Sequence, residues 1–107
     1  MTMKIAIILF RNAQPIEEQH RWWLEDHVPL AKKMPGLISY TINLVGTDES
    51  GGDPVIAGTD YLEFADEEAA MIAYNSPEWK AARQHTAESG AKTIRSWVRK
   101  TNQIPLD

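Results

Sequence analysis

His27, Tyr40 and Asp60 are the residues of this chain whose type and setting suit chemistry. Imidazole is the side chain whose unperturbed titration falls nearest neutrality, so a histidine held on an apolar helix face suits acid–base work. Ile16, Trp23 and His27 share one face at helical spacing. Pro29 follows two residues later and has no N–H for the carbonyl of Glu25. His27 therefore reads in two ways. It moves a substrate proton, or its ring bonds the freed carbonyl as a structural group. Tyr40 falls among Ile38, Ile42 and Leu44 on the apolar face of an alternating segment. Its hydroxyl there needs a partner, which His27 or a ligand can supply; otherwise it is a core tyrosine. Asp60 shares the parity of Leu62 and Phe64. A carboxylate on that face is costly unless paired or used. It orients His27 or acts as a base with a raised pKa. A β-bulge that shifted the parity by one would instead put it in solvent or at a subunit contact.

Four tryptophans are many for 107 residues. Trp23 shares the face of His27, while Trp22 lies nearer a flank and Trp79 begins a helix. With Leu62 and Phe64, Trp23 and Trp79 form the expected wall of a small-molecule pocket, or simply fill the core. His20 and His85 have no partner at metal-ligand spacing and read as surface histidines. The chain has no cysteine, which removes disulfides, thiolate nucleophiles and thiolate metal sites. Gly51-Gly52 lacks the strand–helix setting of a phosphate loop, and no Ser-His-Asp arrangement is legible. No metal or organic cofactor is expected.

The elements that must position these residues follow from pattern. Lys4–Phe10 is a short, continuous apolar run, read as a central strand buried on both faces. Pro15 opens a helix with Glu17 and Glu18 in its first turn. Pro29 predicts a kink around Asp26–Val28, then a short helical piece to Met34, stopped by Pro35-Gly36. Leu37–Val45 alternates as a strand, Gly46–Asp53 is a polar loop, and Val55–Phe64 is a third strand. Asp66 and Ser76 are placed to cap two helices, ending near Tyr74 and Ser89-Gly90. Thr93–Lys100 is a last strand and Thr101–Asp107 a tail. The order β-α-β-β-α-β predicts an α+β, ferredoxin-like, two-layer domain over residues 1–107, helices on one side of an antiparallel sheet. One face of that sheet is left uncovered. The two-faced apolar first strand, and Trp97 between Arg95 and Arg99, predict a homodimer packed sheet on sheet through Trp97 and the tail.

Composition narrows the setting. Apolar residues make up 43 %, and the formal net charge is −4. With no basic face, nucleic acid is an unsuitable partner. No apolar stretch approaches the ~20 residues of a membrane span, and the first ten residues lack a signal-peptide pattern. A cytoplasmic protein is the expectation.

One stretch carries a family resemblance. Trp23-Leu-Glu-Asp-His27-Val-Pro29-Leu-Ala-Lys-Lys-Met-Pro35-Gly36-Leu37, followed by Tyr40, resembles the signature of the EthD family, named for ethyl tert-butyl ether degradation. Leu9-Phe-Arg11, Phe64-Ala-Asp66-Glu and Asn75-Ser-Pro-Glu78 are similar to it too. The resemblance implies a dimeric α+β barrel with a pocket between sheet and helices, lined by His27 and Tyr40. It also places the chain near muconolactone-type isomerases, among them the methylmuconolactone methylisomerase. That isomerase uses a cysteine on the third strand, where Leu62 stands here.

Three functions remain open at this level. The first is a cofactor-free enzyme acting on a small, flat, carbonyl- or lactone-bearing molecule, with His27 moving the proton and Tyr40 donating to the developing oxyanion. Isomerase or lyase chemistry suits it. The second is a cofactor-independent oxygenase, or oxidoreductase. The third is a non-catalytic accessory protein that binds a small molecule.

Overall fold

The computed structural model describes residues 2–107. In chain order it contains β1 (Met3–Phe10), α1 (Ile16–Arg21), a π-helical turn (Trp22–His27), α2 (Val28–Ala31), β2 (Leu37–Leu44), β3 (Ile56–Phe64), α3 (Glu67–Tyr74), α4 (Pro77–Glu88) and β4 (Thr93–Val98). The four strands form one antiparallel sheet in the order β2-β3-β1-β4. The apolar β1 is central, as its composition predicts. The fold is α+β, with the helices layered on one sheet face, and its thinnest dimension is 19 Å.

Register sorts the side chains into rows across the helix-facing side. One row runs Tyr40–Leu62–Ile5–Trp97, and the next Ile42–Asp60–Ile7–Arg95. The sheet's two irregularities lie at Leu9/Phe10 and Leu37/Ser39; the second adds a residue on β2 opposite Glu63/Phe64, while β3 runs unbroken against β1 from Gly58 to Phe64. Parity therefore holds at Asp60, which faces the helices. Ile5, Leu62, Phe64, Ala70, Ala73, Trp79 and Ala82 build the main core, with Ala31 and Met34. Leu9, Trp23, Ala57 and Ala91 form a second cluster.

Local chemistry explains the helix ends. Asp66 accepts from the Ala69 N–H at 2.8 Å, and Ser76 accepts from the Trp79 N–H at 3.1 Å. Gln19, fully buried, donates to the Phe10 carbonyl at 2.9 Å and pins α1 to the end of β1. Gly58 gives close approach: a Cβ there would sit 2.2 Å from the Asn43 carbonyl oxygen and 2.8 Å from the Trp23 ring.

Two expectations need correction. Trp97 does not lie on the open sheet face. It pairs with Ile5 and packs under the helices, its ring 6.1 Å from Trp79 and 6.2 Å from Tyr74. Arg95 and Trp97 share one parity within β4, and the strand turns that parity inward, while Arg99 lies past the strand and is exposed; Ile94, Ser96 and Val98 take the open face. The last strand also stops at Val98, opposite Lys4, two residues short of the expected Lys100. The open face itself holds a trough of about 460 Å³ bordered by Lys4, Ala6, Ser39, Tyr61, Glu63 and Val98. Among the described residues, no helix is long and apolar enough to cross a membrane.

Candidate active site

Pro29 disrupts the helix upstream of itself rather than at a sharp kink over Asp26–Val28. Lacking an N–H, it cannot close a bond to Glu25, and the ladder widens over the preceding turn. The Val28 N–H reaches back five residues to the Trp23 carbonyl. In an α-helix, residues five apart point about 140° away from one another. The π turn brings them into line, and Trp22 stacks on His27 with centroids 5.1 Å apart and planes at 23°. The tryptophan beside His27 is thus Trp22. Trp23 turns into the second cluster, against Leu9 and Ala57.

His27 is 9 % exposed and makes two hydrogen bonds. Its Nδ1 lies 3.0 Å from Nδ1 of His85. The two rings are coplanar within 2°, edge to edge, and Trp22 covers both, 5.0 Å from His85. His27 Nε2 lies 3.4 Å from Oγ1 of Thr86, and that hydroxyl donates to the Ala82 carbonyl at 3.1 Å. Following the protons gives one consistent chain. Thr86 donates to Ala82, so it accepts from His27 Nε2–H. His27 Nδ1 then carries the lone pair and accepts from His85 Nδ1–H. Burial, with the charges of His85 and Arg95 adding to it, lowers the His27 pKa to about 4. The ring is neutral at pH 7, and both of its nitrogens are engaged.

Asp60 is 5 % exposed, and its Oδ1 is buried without a hydrogen-bond partner. Burial raises its pKa to about 7, only partly opposed by Arg95. Tyr40 lies one row away. Burial, and then the Asp60 charge, push its hydroxyl further up, so it stays protonated. Arg95 projects from β4 in the same row as Asp60, with Ile7 between them, and its guanidinium donates to Thr93. Burial and the neighbouring Arg83 lower the Arg95 pKa, while Asp60 pulls it back.

These groups meet at two adjoining cavities of about 30 Å³ each. Both are bordered by Ile7, His27, Asp60, Thr86 and Arg95. The first also reaches Tyr40, Leu62 and Trp79, the second Trp22 and Trp23. His27, Tyr40 and Asp60 therefore converge, as the three separate patterns predict, and Leu62, Trp79 and Trp23 stand around them. Phe64 does not line either cavity. It is fully buried one row beyond, its ring 6.3 Å from Trp79, which it backs.

Arg95 and His85 are the residues that sequence pattern leaves out. Arg95 has the inward parity of Trp97, and an opposite charge in the row of Asp60 is the signal that points to it. His85 and His20 are not surface histidines. Both are half-buried, His85 paired to His27 and His20 Nε2 2.8 Å from the Ala57 carbonyl. Among the described residues, no three His, Asp or Glu side chains gather as a metal-binding set. The cluster offers instead a carboxyl group able to take or give a proton near neutrality, a phenol able to donate, and a neighbouring guanidinium.

The sequence profile of the EthD domain matches residues 12–90. No curated protein matches the sequence. Many solved structures share the fold, three of them as follows. An ethyl tert-butyl ether degradation (EthD) family protein from Bacillus halodurans C-125 superposes with a TM-score of 0.74 at 17 % identity, over 90 % of this chain and 97 % of that one. SnoaB, a cofactor-independent oxygenase from Streptomyces nogalater, gives 0.67 at 11 % identity over 98 % of both chains. A dimeric ferredoxin-like protein of unknown function from Thermobifida fusca YX gives 0.66 at 17 % identity, over 91 % of this chain and 90 % of that one. With three-quarters of its length under the family profile and the same α+β fold, the chain belongs to the EthD family.

Proposed function

We propose that this chain is a cofactor-free enzyme of small-molecule catabolism that moves a proton on a flat, carbonyl- or lactone-bearing substrate. The observation that supports it best is Asp60: a buried carboxyl with one unpartnered oxygen and a pKa of about 7, facing a tyrosine hydroxyl across a cavity. A general base is most effective when its pKa lies near the working pH. This reading moves the proton-transfer role from His27 to Asp60, because both His27 nitrogens are committed to His85 and Thr86. The Asp60 carboxylate takes a proton from carbon beside the substrate carbonyl. The electron pair moves onto the carbonyl oxygen, where Tyr40 O–H donates to it. Return of the proton from Asp60 to a different carbon completes an isomerisation. His27, capped by Trp22 and tied to His85, holds the roof of the site in place.

The likeness to SnoaB, a cofactor-independent oxygenase, favours a second reading. The same base ionises the substrate, and the resulting carbanion gives its electrons to dioxygen. In either case the working unit is a homodimer, a state supported by the dimeric protein of the same fold from Thermobifida fusca, and the open sheet face is the surface we assign to the contact.

The two readings separate in one assay. The protein is mixed with a panel of aromatic ketones and unsaturated lactones in D₂O, followed by NMR and an oxygen electrode. Deuterium uptake without oxygen consumption supports the isomerase; oxygen consumption supports the oxygenase. Either activity should vanish in Asp60→Asn with the fold intact. Turnover undiminished in that variant, or none across the panel, refutes the proposal.

A further inference from the structure

The buried cluster opens outward between α4 and the edge strand β4. A hollow of about 320 Å³ lies there, bordered by Arg83, Thr86, Lys92, Thr93 and Arg95. Arg83, Thr86 and Arg95 also border the inner cavity that holds Asp60 and Tyr40. The hollow is thus the outer continuation of the site. It carries three cationic side chains and no carboxylate, in a chain whose net charge is −4. Among the described residues, no carboxylate lies within ion-pair distance of Arg83, Lys92 or Arg95.

Arg95 is the pivot. It is half-buried, and its side-chain hydrogen bond goes to Thr93. Most of its five N–H donors are unspent. The neighbouring Arg83 lowers the proton affinity of Arg95, and two guanidinium groups so placed are stable side by side when an anion lies between them. A planar fork of N–H donors fits a carboxylate in two parallel hydrogen bonds. Inward from Arg95 the row continues over Ile7 to Asp60, two strand spacings or about 10 Å away. The surface between is apolar, with Leu62 and Trp79 beside it.

We propose that the hollow formed by Arg83, Lys92 and Arg95 is the acid-binding end of the site. Its substrate is a carboxylate with a flat apolar body, the carboxylate held by Arg83 and Arg95 and the body lying over Ile7 toward Asp60. The proposal rests on the reading of the Asp60 cluster as a small-molecule site and names the substrate class for it. A phosphate ester would meet the same cations.

The test titrates the protein with sodium benzoate, benzamide and phenyl phosphate, followed by NMR shifts of the Ile7 and Leu62 methyl groups. Benzoate should bind at least tenfold more tightly than benzamide and than phenyl phosphate. Arg83→Gln and Arg95→Gln should each weaken benzoate at least fivefold and leave benzamide unchanged. Arg83 is exposed, so its variant keeps the test independent of any folding defect at Arg95. Equal binding of benzoate and benzamide with shifts at Ile7 and Leu62 overturns this inference and leaves the pocket reading standing. Tighter binding of phenyl phosphate overturns the carboxylate assignment. No shift with any of the three overturns both the inference and the pocket.

Discussion

Replacing Asp60 with asparagine should stabilise the protein, and the gain should grow with pH. The Asp60 pKa rises from 3.8 to about 7 on folding, chiefly through burial. Between these values the folded chain keeps a proton that the unfolded chain has released. Stability then falls as pH rises, by about 1.4 kcal/mol per pH unit. Over some three units the loss is about 4 kcal/mol, complete once the pH passes about 7. Asp60 is almost fully buried, so solvent screening does little to reduce it. An asparagine side chain would keep the shape and lose the charge. The wild-type profile alone would hide the effect, because His27 slopes the other way. Its pKa falls from 6.5 to about 4, so its contribution to stability declines as pH drops through that range. The assay is urea unfolding of wild type and Asp60→Asn at fixed protomer concentration from pH 4 to 8. The difference between them should widen by about 4 kcal/mol, with asparagine gaining at the alkaline end. A difference independent of pH, or one that shrinks as pH rises, would refute the reasoning. Shrinkage would mean that Arg95 pairs with Asp60 closely enough to hold it ionised.

Three further outcomes follow from the same geometry. His27→Ala should cost about 1–3 kcal/mol at pH 7 in urea unfolding, because it orphans the His85 and Thr86 partners, and should recover much of that near pH 4, where the buried imidazole is itself a burden. Gly58→Ala should lose several kcal/mol or fail to fold, since its Cβ meets a backbone oxygen at 2.2 Å; thermal melting against Gly46→Ala, which meets nothing within 4 Å, provides the control. Light scattering of the wild type should give twice the 12.1 kDa chain mass, and Ile94→Asp on the open face should shift it to monomer; a monomeric wild type at micromolar concentration would reject the sheet-on-sheet dimer.

The strands are legible in the sequence because their signals are local and redundant. Continuous apolarity marks β1, and strict alternation marks β2. Parity along β3 then carries Asp60 to the correct face. Asp66 and Ser76 announce their helices through the oxygen each offers to a backbone N–H. The π turn is legible only as a disturbance. Pro29 guarantees a missing bond, but no residue type states whether the chain bends or takes up an extra residue per turn. Helical spacing therefore pairs His27 with Trp23, whereas i to i+5 geometry pairs it with Trp22. Pattern misplaces Trp97 because two flanking arginines suggest solvent, although Arg95 shares its inward parity on β4. Arg95 escapes for the same reason. A charged residue that faces a helix layer is recognised from its counterpart on another strand, and that relation exists only in the register.

Two cavities of about 30 Å³ each have room for little more than a water molecule apiece. An aromatic ring enters only after α4 or the π turn swings away from the sheet. Association should then be gated: the observed binding rate rises with ligand concentration and levels off at the opening rate. Apparent affinity falls in proportion to the fraction of molecules open at any moment. A substitution that loosens the Trp22 roof would speed ligand arrival and departure together, and a tight ligand would leave slowly because the door closes behind it.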